Sequence, residues 1–440
     1  MHRFVKRRSF VLLCLLGLVL SWLVSCTPEI PTESDQKLEF WTMQLQPKFT
    51  PYFKDIITFF EEKNPEVSVR WIDIPWEAME SKILTTVSAK NPPDVVNLNP
   101  NFASQLASRN AWLNLKPYIP SEIQQQYLPK IWQASTLDGI SFGIPWYLTT
   151  RITLYNEKLL SQINSTTPPK NFTELAEFAT IFHNKTGKYA MFISFVPGDS
   201  GEVLESLVQM GVQLVDKQKK AAFNTPEGIA AFNYWVDMYQ NDLLPPEVLT
   251  QGHRHAIDLY QSGQTALLSS GAESIISIEN NAPTIAKIST AAPQITGKTG
   301  KKNVAVMNLI IPRDAKKTDD GVKFALFVTN TENQLKFAKQ ANVLPSTVEG
   351  IKLYIEELKQ QSEPATLVAQ ARQVSVTQLK DAEVLIPSIQ NINKLQQIIY
   401  ENLQAAMLKE KTVKQAVQDA ADTWNDLVST QDKHFSLKEE

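Results

Sequence analysis

The chain has 440 residues, of which 43% are hydrophobic and 20% charged, a composition typical of a folded protein. This length favours two domains over one core, and the formal net charge of −3 argues against sequence-independent nucleic-acid binding, which needs clustered positive charge. The two cysteines, Cys14 and Cys26, lie near the N-terminus, so the body of the chain can hold neither an intramolecular disulfide nor a cysteine metal site.

The first residues have the pattern of an export signal. Basic residues between Arg3 and Arg8 precede an apolar run from Phe10 to Val24, which is short of the roughly 20 residues that a membrane-spanning helix needs. The run ends in Leu23-Val24-Ser25-Cys26, which resembles the lipobox of bacterial lipoproteins. We therefore expect residues 1–25 to be a signal peptide, Cys26 to carry acyl chains such as palmitate, and residues 26–36 to be a tether. The alternative is a plain signal anchor with an incidental cysteine.

From residue 37 onward, strand and helix patterns alternate. Residues 38–42 predict a strand, and Thr50-Pro51 can begin a helix whose apolar positions 53, 56, 57 and 60 form one stripe. Residues 67–71 predict a second strand, Met79 to Val87 a second helix, and residues 94–98 a third strand. This β-α-β-α-β order predicts parallel strands with right-handed crossovers, and hence an α/β fold.

Polar side chains follow two of these predicted strands. Gln44 and Gln46 come after the first strand, and Asn99 and Asn101 come after the third. Because open α/β sheets bind ligands beyond the carboxyl ends of their strands, we expect these four residues to line a binding site. Ordinary loop polarity is the alternative interpretation.

Helices dominate the middle and the end of the chain. Thr225-Pro226 opens one amphipathic helix, and Thr412 begins the last strong one, with Gln415 at capping-box spacing. We find no repeats and no second apolar span.

Several short motifs, taken in order, resemble the extracellular solute-binding proteins of carbohydrate ABC importers, of the maltose- and glycerophosphate-binding type. The resemblance runs through most of residues 37–430. It rests on Phe40-Trp41-Thr42, Asn64-Pro65, Pro93-Asp94-Val95-Val96, Gly143-Ile144-Pro145-Trp146, Leu154-Tyr155-Asn156-Glu157, residues 169–175, residues 223–228, Gly263-Gln264-Thr265-Ala266, residues 324–330 and Asn342-Val343-Leu344-Pro345-Ser346.

The resemblance implies a type II clamshell of two α/β lobes joined by a hinge that the chain crosses three times. The crossings are expected near Tyr147–Arg151, near Asn303–Asn308 and between Ser346 and roughly Arg372. Residues 37–147 plus 304–346 would form the N-terminal lobe, and residues 148–303 plus 347–440 the C-terminal lobe. A ligand would close the hinge, and the closed form would be recognised by the importer.

Sugars bind by stacking on aromatic rings and by hydrogen bonds to amides and carboxylates. We expect Trp146 or Tyr147 to face the cleft, because both lie next to the first crossing, although lobe packing is the alternative. Asp199 corresponds to the family segment of the second lobe that reaches the ligand, or it is a cap residue. Arg151 could bind an anionic group or form an interlobe salt bridge. Trp76 and Trp235 are expected to pack within the lobes.

One departure from the family pattern bears on the ligand. Where many relatives carry Gly-Pro-Trp, this chain has Gly271-Ala272-Glu273, so a stacking ring is lost and Glu273 becomes a candidate ligand contact. The change suggests a ligand smaller or more polar than a long maltodextrin. A mono-, di- or oligosaccharide, a glucoside, a polyol and a glycerophosphate all stay open.

The predicted protein is thus an exported, lipid-anchored, monomeric binding protein on the outer face of the cytoplasmic membrane, in the periplasm of a diderm. Its partners would be a sugar or polyol and the permease subunits of an ABC importer, with no nucleic acid. We expect no catalytic residue, no cofactor and no metal, since His253 and His255 diverge on a helix and Gly297-Lys298-Thr299 lacks the earlier glycine of a phosphate loop. A sensory sugar-binding lipoprotein and a carbohydrate-active enzyme are the alternatives.

Overall fold

The computed structural model describes residues 37–107, 109–360, 366–386 and 388–436. The predicted signal peptide, Cys26 and the tether lie outside these described residues. Within them, no helix is both long and apolar enough to cross a membrane.

Twelve strands and eighteen α-helices are found in the described ranges. The strands are β1 (Leu38–Met43), β2 (Val69–Ile74), β3 (Val95–Leu98), β4 (Thr136–Leu137), β5 (Ile140–Ser141), β6 (Ile144–Thr150), β7 (Ile152–Asn156), β8 (Leu267–Ser270), β9 (Ser289–Pro293), β10 (Lys302–Ile310), β11 (Leu344–Pro345) and β12 (Ala382–Glu383). The helices are α1 (Thr50–Lys63), α2 (Trp76–Ser88), α3 (Pro100–Ala107), α4 (Ser121–Gln124), α5 (Pro129–Ala134), α6 (Glu157–Ser161), α7 (Phe172–Thr186), α8 (Glu202–Gln209), α9 (Pro226–Gln240), α10 (His253–Gln261), α11 (Ile275–Asn281), α12 (Pro283–Ala286), α13 (Thr318–Val328), α14 (Thr331–Ala341), α15 (Val348–Gln360), α16 (Leu367–Gln378), α17 (Ile392–Met407) and α18 (Val413–Ser436). Short 3₁₀ helices span Pro246–Leu249, Ala272–Ser274 and Leu379–Asp381.

The larger sheet forms the first lobe. Its strand order is β11-β6-β10-β3-β1-β2, with β12 beside β10. Strand β1 pairs in parallel with both β2 and β3, as the β-α-β-α-β pattern predicts, whereas β10 runs antiparallel to β3 and β6. Alternate residues of β1 point to opposite faces of the sheet, with Phe40 in one core and Trp41 in another. Helices cover both faces of this sheet.

Several helices begin where the sequence signals predict them. Helix α1 begins at Thr50 and buries Phe53, Ile56 and Phe60, the stripe that the sequence predicts. Helix α9 is capped by Thr225, whose side chain accepts a hydrogen bond from the Gly228 backbone at 3.2 Å. These local patterns are sufficient for helix boundaries because caps and apolar spacing act within a few residues.

A second lobe is built on the smaller sheet, β8-β7-β9, in which every pairing is antiparallel. Its core is separate and is dominated by helices, with Trp235 fully buried and donating a hydrogen bond to Ser206 Oγ at 2.8 Å. The expectation that Trp235 packs within its lobe is therefore correct. The predicted α/β fold with two lobes is confirmed.

The chain passes from the larger to the smaller sheet at Arg151, between β6 and β7, and returns between β9 and β10. The predicted lobe boundaries are wrong at three places. Residues 148–150 and 302–303 were expected in the second lobe, but they belong to β6 and β10 of the larger sheet. Residues 347–440 were assigned to the second lobe, but Tyr354 of α15 and Ala382 of β12 are buried in the core of the first. The chain therefore leaves the first lobe after α15 rather than before it. Leu367 and Ala371 of α16 are buried in the second core, and β12 then returns to the larger sheet.

Candidate functional site

A cavity of about 610 Å³ lies between the two lobes, within the size range of small-molecule sites. The first lobe contributes strand-end loops and the start of α2 and α3, and the second lobe contributes the starts of α8 and α10. Lining residues from the sequence predictions are Gln44, Asn99, Asn101, Tyr147, Asp199 and Glu273; others include Lys48, Trp76, Glu80, Phe102, Arg151, Glu205, His253, Asn393 and Gln396.

The loop after β1 is held in place by Asp73. This carboxylate accepts hydrogen bonds from the Thr42 hydroxyl at 2.6 Å and from the backbone N–H groups of Leu45 and Gln46 at 3.0 and 2.9 Å. The arrangement leaves Gln44 in the cavity wall, as predicted, but Gln46 is exposed and does not line the cavity. The prediction for Gln46 is therefore wrong, although Leu45, Lys48 and Phe49 on either side of it line the cavity.

Asn99 and Asn101 lie at the carboxyl end of β3, where the sheet topology predicts them. Asn99 also caps α3, since its side-chain oxygen accepts a hydrogen bond from the Phe102 backbone at 2.8 Å. Its amide nitrogen is the group left to face a ligand.

The tryptophan predicted to face the cleft lies in the core instead. Trp146 is 0% exposed and stacks on Phe337 with ring centroids 4.9 Å apart, and it does not line the cavity. Tyr147 does line it, because successive residues of β6 point to opposite faces of the sheet. Burial, together with the nearby carboxylates of Glu273 and Asp73, raises the pKa of Tyr147, so its hydroxyl stays protonated and can donate.

Trp76 and Phe102 add aromatic surface to the cavity, beside Tyr147, Phe49 and Phe337. Trp76 is 38% exposed, and its ring centroid lies 5.5 Å from that of Phe102. The expectation that Trp76 packs within the lobe is wrong. An exposed indole with one face supported by a second ring is suited to stack on a sugar ring.

The second lobe contributes Asp199 and His253. Asp199 Oδ2 accepts a hydrogen bond from the His253 backbone N–H at 2.8 Å, so this carboxylate caps α10 while lining the cavity. Burial and the nearby Arg151 lower the pKa of His253 to about 4, so the imidazole is neutral near pH 7.

Arg151 is engaged by acidic residues of the second lobe. Its Nε lies 2.6 Å from Glu205 Oε2, its Nη1 lies 3.7 Å from Glu202 Oε2, and its Nη2 donates to Ser200 Oγ at 3.2 Å. The guanidinium is thus part of a largely buried ion-pair network at the passage between the lobes. Arg151 was predicted either to bind an anionic group of the ligand or to form a salt bridge, and the structure contains the salt bridge.

Glu273 lies in the 3₁₀ helix that follows β8, and its carboxylate is accessible from the cavity. Surrounding protein restricts its hydration, so burial raises its pKa, while its own backbone N–H, Arg151 and Lys48 oppose that rise. Lys48 approaches from the first lobe, and burial lowers the pKa of its ammonium group.

Sequence reasoning missed the contact between Glu80 of α2 and Asn393 of α17, whose Nδ2 lies 3.4 Å from Glu80 Oε2. Nothing local marks either residue, because they come together only when the two lobes meet. Among the described residues, no group of three or more His, Cys, Asp or Glu side chains is placed to hold a metal ion.

A family model described as the bacterial extracellular solute-binding protein matches residues 44–335. The chain belongs to this family. A solved structure that is 45% identical, with a TM-score of 0.86, covers 90% of this chain and 99% of its own; it is described as a "putative oligosaccharide periplasmic-binding protein" of Synechococcus sp. MITs9220 in complex with zinc. The predicted family and its two-lobe type II fold are confirmed.

More distant relatives share the fold. The sugar-binding protein MalE of Xanthomonas citri superposes with a TM-score of 0.75 at 21% identity, covering 91% of this chain and 99% of its own. The diacetylchitobiose-binding protein DasA of Streptomyces coelicolor is 22% identical over 66% of this chain and 69% of its own length. The mannitol-binding protein of Pseudomonas aeruginosa is 21% identical over 66% of this chain and 69% of its own. These family members are binding proteins.

Proposed function

We propose that this family member captures a sugar or sugar-like solute between its lobes and delivers it to the permease of an ABC importer. The observation that carries the proposal is the exposed Trp76 ring in the wall of a cavity that also presents amide, hydroxyl and carboxylate groups. The combination of one apolar ring face with amide and carboxylate groups matches a carbohydrate, which has C–H faces and hydroxyl edges. The relatives named for oligosaccharide, diacetylchitobiose and mannitol support the same class of ligand.

Cavity size and shape favour a short ligand. A volume of about 610 Å³ lies in the middle of the roughly 300–1,000 Å³ typical of small-molecule sites. Glu273 stands where many relatives have a further stacking ring, so the cavity lacks a stacking surface at that position. We infer a compact ligand rather than a long maltodextrin, contacted by Gln44, Asn99, Asn101, Tyr147, Asp199 and Glu273.

Hinge closure is the proposed mechanism of capture. Polar contacts join the lobes around the cavity: Lys219 Nζ lies 2.9 Å from Asp138 Oδ2, and the Ser388 hydroxyl donates to the Ala134 carbonyl at 3.0 Å. Such exposed contacts are individually weak, so they can break when the lobes separate and re-form when a ligand bridges them. Ligand binding would therefore set the balance between open and closed forms.

Anchoring outside the cytoplasm is also proposed. The basic start, the apolar run and Ser25-Cys26 support removal of residues 1–25 and acylation of Cys26, with residues 26–36 as a tether. Two acyl chains are sufficient for stable attachment to a membrane. The protein would act as a monomer on the outer face of the cytoplasmic membrane, without a cofactor and without catalysis.

A ligand screen tests the binding proposal. Thermal unfolding of the protein lacking residues 1–36 is measured with a panel of neutral sugars, glucosides and polyols. A true ligand at a thousandfold excess over its Kd should stabilise the protein by roughly 4 kcal/mol. If no member of the panel raises the melting temperature, sugar binding is wrong.

Deletion of the gene then separates transport from sensing. Loss of uptake of the identified ligand, restored by the wild-type gene, is the expected result. Unchanged uptake in the deletion strain would contradict delivery to an importer and favour the sensory alternative.

A further inference from the structure

The charges that line the cavity do not balance. Arg151 is already neutralised by Glu205 at 2.6 Å and Glu202 at 3.7 Å, and His253 is neutral near pH 7. Among the described lining residues this leaves one cation, Lys48, and three carboxylates, Glu80, Asp199 and Glu273, none of which forms an ion pair within 4 Å. The cavity therefore has an acidic wall with a single ammonium group.

The carboxylate of Glu273 lies directly over the backbone of Gly271, two residues before it. A Cβ atom on Gly271 would lie 2.1 Å from Glu273 Oε2 and 2.3 Å from Oε1, so the carboxylate is folded over bare backbone. Its own backbone N–H is the hydrogen-bond donor near it, and within the described chain no other residue donates to this carboxylate. Glu273 is thus fixed in place and still able to accept from a ligand.

Lys48 approaches Glu273 from the opposite lobe. Its ammonium group lies 5.0 Å from the centre of the Phe49 ring and is close enough to Glu273 for each to influence the ionisation of the other. Both groups line the same cavity, so the hydroxyl groups of a ligand can accept from the ammonium and donate to the carboxylate. An ionised phosphate or carboxylate can only accept, so it would meet Glu273 as a like charge.

We propose that Glu273, held over Gly271 and opposite Lys48, determines specificity by admitting neutral hydroxylated ligands and rejecting phosphorylated and carboxylated ones. This inference rests on the proposed function of sugar binding and narrows its ligand class. It excludes a glycerophosphate as the ligand, a possibility that the family resemblance left open. Like charges brought together in the cavity are strongly disfavoured, and Asp199 and Glu80 add to the repulsion.

The test uses pairs of probes in which one member is neutral and the other carries a phosphate or carboxylate group. Maltose is compared with maltobionate, mannitol with mannitol 1-phosphate, and glucose with glucose 6-phosphate, by calorimetric titration at about pH 8, where carboxyl groups with raised pKa values are ionised. Wild-type protein should bind the neutral member of a pair on the order of tenfold or more tightly than the anionic member. In Glu273→Gln, which keeps the shape and removes the charge, that preference should fall by roughly ten- to a hundredfold.

Two further variants control for position and for net charge. Gly271→Ala keeps the charge of Glu273 but forces its carboxylate to move, so affinity for the neutral probe should fall while anions stay excluded. Glu62→Gln makes the same charge change on the exposed side of α1 and should leave the preference unchanged.

The outcomes for the inference and for sugar binding can be separated. If wild-type protein binds neither neutral nor anionic probes, the panel counts against the proposed function, and the inference is then decided by Glu273→Gln alone. A gain of affinity for an anionic probe in that variant supports it. If Glu273→Gln binds anionic probes no better than wild type, or if wild type binds both members of a pair equally, the inference is overturned.

Discussion

The two tryptophans near the cavity should respond oppositely to truncation. Trp76 is 38% exposed and its ring pairs with that of Phe102 at the cavity wall, so Trp76→Ala should change the free energy of unfolding without ligand by less than about 1 kcal/mol. Loss of a stacking ring should weaken ligand binding by about 1–3 kcal/mol, which corresponds to a roughly ten- to a hundredfold higher Kd. Calorimetric titration with the ligand from the screen measures this loss.

Trp146→Ala is the matched control. Trp146 is fully buried and contacts the rings of Phe40, Phe53 and Phe337, so its removal should lower the free energy of unfolding by about 3–5 kcal/mol in urea titrations. Affinity should change little if folded protein is titrated. An unchanged Kd in Trp76→Ala, or an unchanged unfolding free energy in Trp146→Ala, would refute this division between cavity and core.

Three further changes have defined outcomes. Cys26→Ala should abolish metabolic labelling with fatty acid, and persistence of the acyl label would contradict the lipobox assignment. Arg151→Leu should lower the free energy of unfolding in urea titrations by about 3 kcal/mol, because it leaves Glu205 as an uncompensated buried charge; Arg151→Leu with Glu205→Leu should recover part of that loss. Burial raises the pKa of Glu80 in the closed form, where Asn393 meets it, so closure should take up a proton. Closure should then be most favoured below the ordinary glutamate pKa and weaken as the pH rises through the raised value; a radius of gyration with the same pH dependence in Glu80→Gln would contradict this.

Much of the first lobe could be predicted from the sequence because its signals are local. Apolar stripes and strand alternation over residues 38–98 act within a few positions, and the structure follows them in β1, α1, β2, α2 and β3. The rule that ligands lie beyond strand ends then placed Gln44 and Asn99 in the cavity wall without any knowledge of the other lobe.

The choice between neighbouring aromatic residues could not be made from the sequence. Trp146 and Tyr147 both lie in an apolar strand, and which of them faces the cavity depends on the face of β6 that the helices cover. Trp76 begins an amphipathic helix and looks like a packing residue, but the ring faces the interlobe space and stays exposed.

Contacts between segments that are far apart in the sequence could not be predicted either. The assignment of α15 to the second lobe failed because its apolar face is compatible with either core, and only Tyr354 inside the first core settles it. Glu80 and Asn393 are 313 positions apart and carry no pattern that would pair them.

Small-angle X-ray scattering with and without ligand tests the central claim, capture of a sugar by closure of two lobes, most directly. The protein lacking residues 1–36 is measured alone and with a saturating concentration of the sugar that stabilises it, with Trp76→Ala at the same sugar concentration as the control. We expect the sugar to reduce the radius of gyration of wild-type protein with unchanged circular dichroism, and to reduce it less in the variant. A tight-binding sugar that leaves the scattering profile of the wild type unaltered would contradict the clamshell mechanism.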